Sequence, residues 1–288
     1  MNDYLLSILL GIIEGLTEFL PVSSTAHLRI AEALCQIDLA NGFWKMYSIV
    51  IQLGAILALT AFFWRRILKF LHTFPRGENR DRNFLDHPLS LVATAFVVTA
   101  LPAFLLTKLI GKNLENLSIM AWALLIGGIA MGIIDVWFVR PRIRRMEETT
   151  LPIALWIGAA QILSAVFPGT SRSMSTIAAG QIAGMSREAA LEFSFFLSIP
   201  TMCVATGYDL WQTIQPHPAT ESIAPFAMTP HLWLVLLIGF VVAFISAYAV
   251  VAWFLHWVRR HGFVPFAVYR ILLAGALFVA LARGLLGR

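Results

Sequence analysis

Six stretches of this chain are each apolar enough, over enough residues, to cross a bilayer. They run roughly over 45–65, 89–110, 117–139, 188–209, 232–258 and 264–286. The hydrocarbon layer is about 30 Å thick and a helix rises about 1.5 Å per residue, so a crossing takes about 20 apolar residues. In lipid the backbone must satisfy its own hydrogen bonds, which makes such stretches helices. Charged residues are 13% of the chain, about half of the roughly 25% usual in soluble domains. The sequence predicts an all-α integral membrane protein, one membrane domain over 1–288. Its first apolar run has no basic leader and is interrupted by Glu14 and Glu18, so it is not read as a cleaved signal peptide.

Two more apolar segments, 4–34 and 152–184, are too broken to span. Each holds a proline and a polar cluster near its middle. Charge distribution says where they belong. One basic loop carries Arg65, Arg66, Lys69, Arg76, Arg80 and Arg82, the next Arg140, Arg142, Arg144 and Arg145, and a third Arg259 and Arg260. The connection 210–231, rich in Pro and His, has no Lys or Arg and is read as a loop rather than a lid. With six spans all three basic loops fall on one side, which the positive-inside rule makes cytoplasmic. Both termini then face outward, and the two broken segments enter and leave on one face as re-entrant hairpins. Re-entrant backbone is tolerated where it is buried in protein or lines a wet cavity. The net charge of +5 is therefore orientation information, and no nucleic-acid surface is expected. Cys35 and Cys203 make neither a metal spacing nor a disulfide framework and are expected as small buried hydrophobes.

The broken segments resemble each other. Without gaps, Gly11 aligns with Gly158, Leu16 with Leu163, Pro21 with Pro168 and Ser24 with Ser171, while Glu14 faces Gln161, Thr17 faces Ser164 and Ser23 faces Thr170. The predicted topology sends one hairpin in from each face. The expected architecture is thus an inverted repeat, about 1–110 with its hairpin at 4–34 and about 152–258 with its hairpin at 152–184. Such repeats place their sites near the midplane, where broken helices meet.

The polar residues of the two hairpins suit phosphate chemistry. Glu14 and Glu18 are four apart, so a helix puts both carboxylates on one face. Held in the membrane they need a cation; lying at the interface they would need none. After Pro21 come Ser23, Ser24, Thr25 and His27, with a helix expected to start near Ser23. Ser24 and His27 share its face as a hydroxyl and an imidazole, in outline a nucleophile and its base; the structural alternative is a capping serine and a bonded histidine. The second hairpin supplies Pro168, Gly169, Thr170, Ser171, Arg172, Ser173 and Thr176 at another expected helix start. Helix N-termini and an arginine fork both suit phosphate; neutralising Glu14 or Glu18 is the alternative role for Arg172. Carboxylates bind Mg²⁺ or Ca²⁺ through oxygen.

The segments E-G-L-T-E-F-L-P-V-S-S-T-A-H (14–27) and P-G-T-S-R-S-M-S-T (168–176) closely resemble the two signature motifs of the undecaprenyl-pyrophosphate phosphatases, also called the bacitracin-resistance family. Residues 51–58, 186–200 and 263–270 look like family segments in the same order, so the resemblance covers nearly the whole chain. It implies removal of the terminal phosphate from undecaprenyl pyrophosphate, a divalent cation, and a site in the bacterial cytoplasmic membrane open to the periplasmic side. Glu14, Glu18, Ser24, His27 and Arg172 become the expected catalytic set, with Ser24 as nucleophile, His27 as its acid/base and Arg172 as phosphate clamp. Attack by His27 itself is the other route. Glu14 and Glu18 are the expected metal ligands, and Ser23, Thr25, Ser171, Ser173 and Thr176 the substrate-binding residues. Ala26 stands where the family usually has glycine, and Met174 and Ser175 where it has Gly-Ala, which bears on the loop geometry. Expected partners are a polyprenyl pyrophosphate lipid and the bilayer, with a homodimer as the candidate assembly. A lipid-phosphate transporter or flippase is the competing function, since inverted repeats with midplane charges also build transporters.

Overall fold

A computed structural model of the chain describes residues 2–37, 42–77, 83–107, 110, 116–214 and 228–285. Arg80, Arg82 and positions 215–227 of the connection read as a loop lie outside these described residues. The elements are α1 (Asp3–Thr17), α2 (Ser24–Leu34), α3 (Gly42–Phe62), α4 (Trp64–Thr73), α5 (Pro88–Leu105), α6 (Leu117–Trp137), α7 (Leu151–Val166), α8 (Arg172–Ile182), α9 (Arg187–Ile214), α10 (Pro230–His261) and α11 (Val264–Ala282). Six of these, α3, α5, α6, α9, α10 and α11, are long and apolar enough to cross a membrane, and they fall on the six predicted segments. The chain is an all-α, multi-pass membrane protein.

Two expectations need correcting. Cys203 is exposed and Cys35 only half-buried. A bilayer solvates apolar side chains, so an apolar residue on a membrane helix is not driven inward as it would be in water. The basic stretch after the first span is also more than a loop, because it contains α4. This is a short amphipathic helix with Phe70 buried on one side, the pattern of a helix lying at an interface. Its Arg66 donates to Glu147 and Glu192, at 2.6 Å each.

The basic loops gather at one end of the bundle. Besides the Arg66 contacts there, Arg142 N–H donates to Gly184 O at 2.8 Å, in the turn between α8 and α9. Buried Asp135, near the end of α6, accepts from Arg187 Nε at 2.6 Å and from Phe263 N–H at 2.8 Å. Both ends of the α7–α8 pair therefore sit at the basic end. The α1–α2 pair has its ends at the other: His231, at the start of α10, bonds Tyr4 and Asp3 at 2.9 Å each. Near the end of α2, Glu32 accepts from Ser48, near the start of α3, at 2.7 Å.

Both pairs pack through glycine. A Cβ on Gly11 of α1 would lie 2.7 Å from Gly239 O of α10, and one on Gly158 of α7 only 2.5 Å from Ala95 O of α5. Backbones this close admit no side chain between them. Gly11 and Gly158 are the residues that open the sequence repeat.

Candidate active site

The helix pairs break in the same way. In the first, α1 ends with Glu18 as its cap, and Pro21, which has no N–H, cannot continue it. The chain then turns through Ser23, held at φ 73°, whose hydroxyl accepts from Ala26 N–H at 3.4 Å and caps α2. In the second, Pro168 follows α7 and Ser171 is held at φ 71°, its hydroxyl accepting from Met174 N–H at 3.3 Å to cap α8. Positive φ is rare for a residue with a side chain, and a left-handed serine before a helix in both breaks marks one shared solution. The gap-free alignment slips by one residue here. The two left-handed serines pair Ser23 with Ser171, and the first helical positions pair Ser24 with Arg172. The extra residue in the second break is taken up beside Gly169, at φ 95°, where a Cβ would lie 2.6 Å from Met120 O.

Between the breaks lies a cavity of about 150 Å³. Glu18, Ser23, Ser24, Thr25, Ser171 and Arg172 line it, all of them expected from sequence. Glu18 joins the two halves. Its Oε2 accepts from Ser24 Oγ at 2.5 Å and its Oε1 from Arg172 Nη2 at 3.2 Å. Both members of the ion pair are largely buried, at 13% and 9% exposed, where removing either partner would strand a charge. The N-termini of two eleven-residue helices, α2 and α8, meet at this point. Their unpaired N–H groups and dipole ends favour an anion.

Two buried groups here are short of partners. Neither carboxylate oxygen of Glu14, itself 0% exposed, has a hydrogen bond among the described residues. Arg172 Nη1 also has none. A buried polar group left without a partner is expensive, and these two are the groups a cation and a phosphate oxygen would satisfy. Among the described residues no group of three or more His, Cys, Asp or Glu side chains converges. A cation on Glu14 and Glu18 would therefore draw its other ligands from water and phosphate, a usual way of holding Mg²⁺. The donor set fits such an ion.

The expected Ser24–His27 pair is not formed. His27 Nδ1 sits 2.7 Å from Ser23 O, so it carries the proton and donates; Nε2 then accepts from Tyr269 O–H at 2.6 Å. The Ser24 hydroxyl has gone to the charged Glu18, the stronger acceptor. Helical spacing put Ser24 and His27 on one face but could not say which acceptor would win. Ser173 and Thr176 are also placed off the cavity. Ser173 Oγ donates to Leu20 O at 2.9 Å, stitching α8 to the first break. Thr176 Oγ1 lies 2.7 Å from Ser194 Oγ, on the side facing α9. Met174 is buried and packs toward Gly127 of α6, so its bulk stays out of the cavity.

Sequence reasoning gave no role to Gln52, Ser164 and Met202, which also line the cavity, nor to Tyr269 and Arg270. A signal existed for two of them. Gln52 and Arg270 are polar residues inside predicted spans, and an intramembrane polar or ionisable group is a functional candidate by default.

The chain matches, over residues 7–276, the family described as bacitracin resistance protein BacA. It is 62% identical over 273 residues to an undecaprenyl-diphosphatase of Koribacter versatilis strain Ellin345, covering 94% of this chain and 96% of that one. An undecaprenyl-diphosphatase of Rhizobium etli strain CIAT 652 is 41% identical over 281 residues, 97% of each chain. One of Thermus thermophilus is 40% identical over 271 residues, covering 93% of this chain and 94% of that one.

Proposed function

The chain belongs to the bacitracin resistance protein BacA family, and from that premise we infer that it is an integral-membrane undecaprenyl-diphosphatase. It hydrolyses undecaprenyl pyrophosphate to undecaprenyl phosphate and inorganic phosphate, recycling the carrier for cell-wall synthesis and conferring bacitracin resistance. The observation that carries the assignment of chemistry to residues is the junction at Glu18, where a hydroxyl from one helix start and a guanidinium from the other meet on one carboxylate.

Phosphoryl transfer asks mainly for positioning and charge stabilisation. Ser24 Oγ attacks the terminal phosphorus and its proton passes to Glu18. The bond to the bridging oxygen breaks, leaving undecaprenyl phosphate, and water then releases phosphate from the serine. Arg172 and the two helix N-termini hold the phosphate oxygens. Glu14 and Glu18 would hold a divalent cation, Mg²⁺ or Ca²⁺, which would supply charge neutralisation. His27 holds the Ser23 turn through its carbonyl. This reading moves the base from His27 to Glu18, following the hydrogen bonds. The two helix pairs are read as re-entrant hairpins of an inverted repeat. Three observations favour that: their matching breaks, their ends at opposite ends of the bundle, and the exchange of α10 for α5 as packing partner. The positive-inside rule then makes the basic end cytoplasmic; a bacterial inner membrane, with the site open to the periplasm, is what the family resemblance implies.

The test is phosphate release from polyprenyl pyrophosphate by purified protein in detergent, with no membrane gradient. Turnover requires an enzyme; a transporter would release nothing. Arg172→Ala is expected to abolish release while the protein stays folded, and near-normal turnover would refute the clamp.

A further inference from the structure

Arg270 lies in the membrane-spanning helix α11 and is fully buried. Among the described residues no carboxylate pairs with it; its two terminal nitrogens donate to three backbone carbonyls instead, and Nε has no partner among the described residues. Nη1 donates to Pro21 O at 3.2 Å, and Nη2 to Gly169 O at 3.0 Å and Ala123 O at 3.1 Å. Pro21 belongs to the first break and Gly169 to the second. Each stands two residues before the left-handed serine that starts the next helix, Ser23 or Ser171. The third carbonyl anchors the guanidinium to α6.

A guanidinium is a rigid plane, and its two terminal nitrogens hang on one carbon at fixed angles. One planar fork thus reaches a carbonyl of each break, and its covalent geometry limits how far apart the breaks can stand. The slot that receives it is shaped to match. A Cβ on Gly127 of α6 would collide with Arg270 Nη2, and one on Gly128 would lie 3.1 Å from Arg270 Cβ. A lone cation in such a place is costly, and its charge stands behind the walls of a cavity suited to a phosphate anion.

We propose that Arg270 is a positioning residue for the reaction: it clamps the two breaks at one separation and so holds Ser24 and Arg172 in register on the substrate. The proposal rests on the phosphatase reading and adds a residue to it that touches neither substrate nor reacting atoms. A misplacement of about 1 Å costs on the order of 10²-fold in rate, so small shifts of the breaks are readable in turnover.

The test uses the full chain in detergent with polyprenyl pyrophosphate and two variants. Arg270→Lys keeps the charge and loses the fork. Gly127→Ala keeps Arg270 and sets a methyl against its Nη2 and against Met174 Cε, which lies 2.7 Å from the added Cβ, so as to push the fork off its carbonyls, in a helix that alanine favours. Each is expected to lower kcat at least about tenfold with KM within about threefold, the pattern of lost transition-state geometry rather than lost binding. A pulsed-EPR distance between labels at Thr25→Cys and Thr170→Cys, with Cys35 and Cys203 replaced by serine, is expected to broaden in both. Should Arg270→Lys not fold, Gly127→Ala carries the test. Parent-like kcat and an unchanged distance in Gly127→Ala overturn the clamp. Parent-like kcat in a folded Arg270→Lys overturns it too, by showing that charge without the fork suffices. If the parent released no phosphate the phosphatase reading would fall, and the label distances would still judge the clamp.

Discussion

The two breaks are alike in backbone and unlike in chemistry. Each has a proline, a left-handed serine and an eleven-residue helix. Yet the first helical position is Ser24 in one and Arg172 in the other, and the residue three further on is His27 in one and Ser175 in the other. In the preceding helices Glu14 matches Gln161. Gln161 is half satisfied, its Nε2 meeting Thr201 Oγ1 at 3.2 Å and its Oε1 having no partner, whereas neither oxygen of Glu14 has one among the described residues. The difference teaches where function was added. Two equal scaffolds each offer a helix N-terminus to an anion. On the proposed reading one carries the acids and the hydroxyl, the other the arginine, and neither half holds a complete site.

The sharpest break in this comparison is Ser24→Ala. Phosphate release is expected to fall by at least about 10³-fold, as for loss of a nucleophile, while Arg172 keeps its bond to Glu18. A covalent phosphate trapped on His27 in that variant would move the attack to the imidazole and overturn the Ser24 assignment. Next is Glu14→Gln, which gives the first helix the residue that the second has at the aligned position, Gln161. The amide keeps the shape and loses the charge, so turnover is expected to drop about 10- to 100-fold, with more divalent cation needed for half-maximal rate. An unchanged cation requirement would remove Glu14 from the ligand set.

Most of this fold was legible in the sequence because a bilayer leaves an apolar run few choices. The six spans followed from length and hydropathy, and the broken segments from Pro21 and Pro168. That Glu18, Ser24 and Arg172 share a cavity was legible because a polar residue in an apolar helix needs a reason to be there. What could not be read was set by competition or by shape. Ser24 chose Glu18 over His27 on relative acceptor strength, which spacing does not encode. The one-residue slip between Ser24 and Arg172 comes from a left-handed turn beside Gly169, invisible to a gap-free alignment. Arg270 was visible as a charge in a span, but its three carbonyl partners come from segments as far away as Pro21, and only the packed bundle brings them together.

The smallest expected effect tests the repeat where no chemistry is involved. Both short helices end in a left-handed residue, Gln36 at φ 55° and Gly184 at φ 89°. Matching bonds close them, Ile37 N–H to Glu32 O and Met185 N–H to Gly180 O, both 2.9 Å. This is the usual helix stop, and glycine suits it because it lacks the Cβ that clashes there. Only the second copy has the glycine. Gln36 is exposed, so its side chain holds little packing to lose. Gln36→Gly is therefore expected to stabilise the protein by up to about 1 kcal/mol. A Cβ on Gly184 would meet nothing nearer than Arg142 at 3.9 Å. Gly184→Ala should then cost about 1 kcal/mol through backbone strain alone. Thermal unfolding in detergent reads both as opposite shifts of about 2–4 °C, with phosphate release unchanged. Shifts of the same sign would mean that the two helix ends are not equivalent, and the likeness would stop at the breaks.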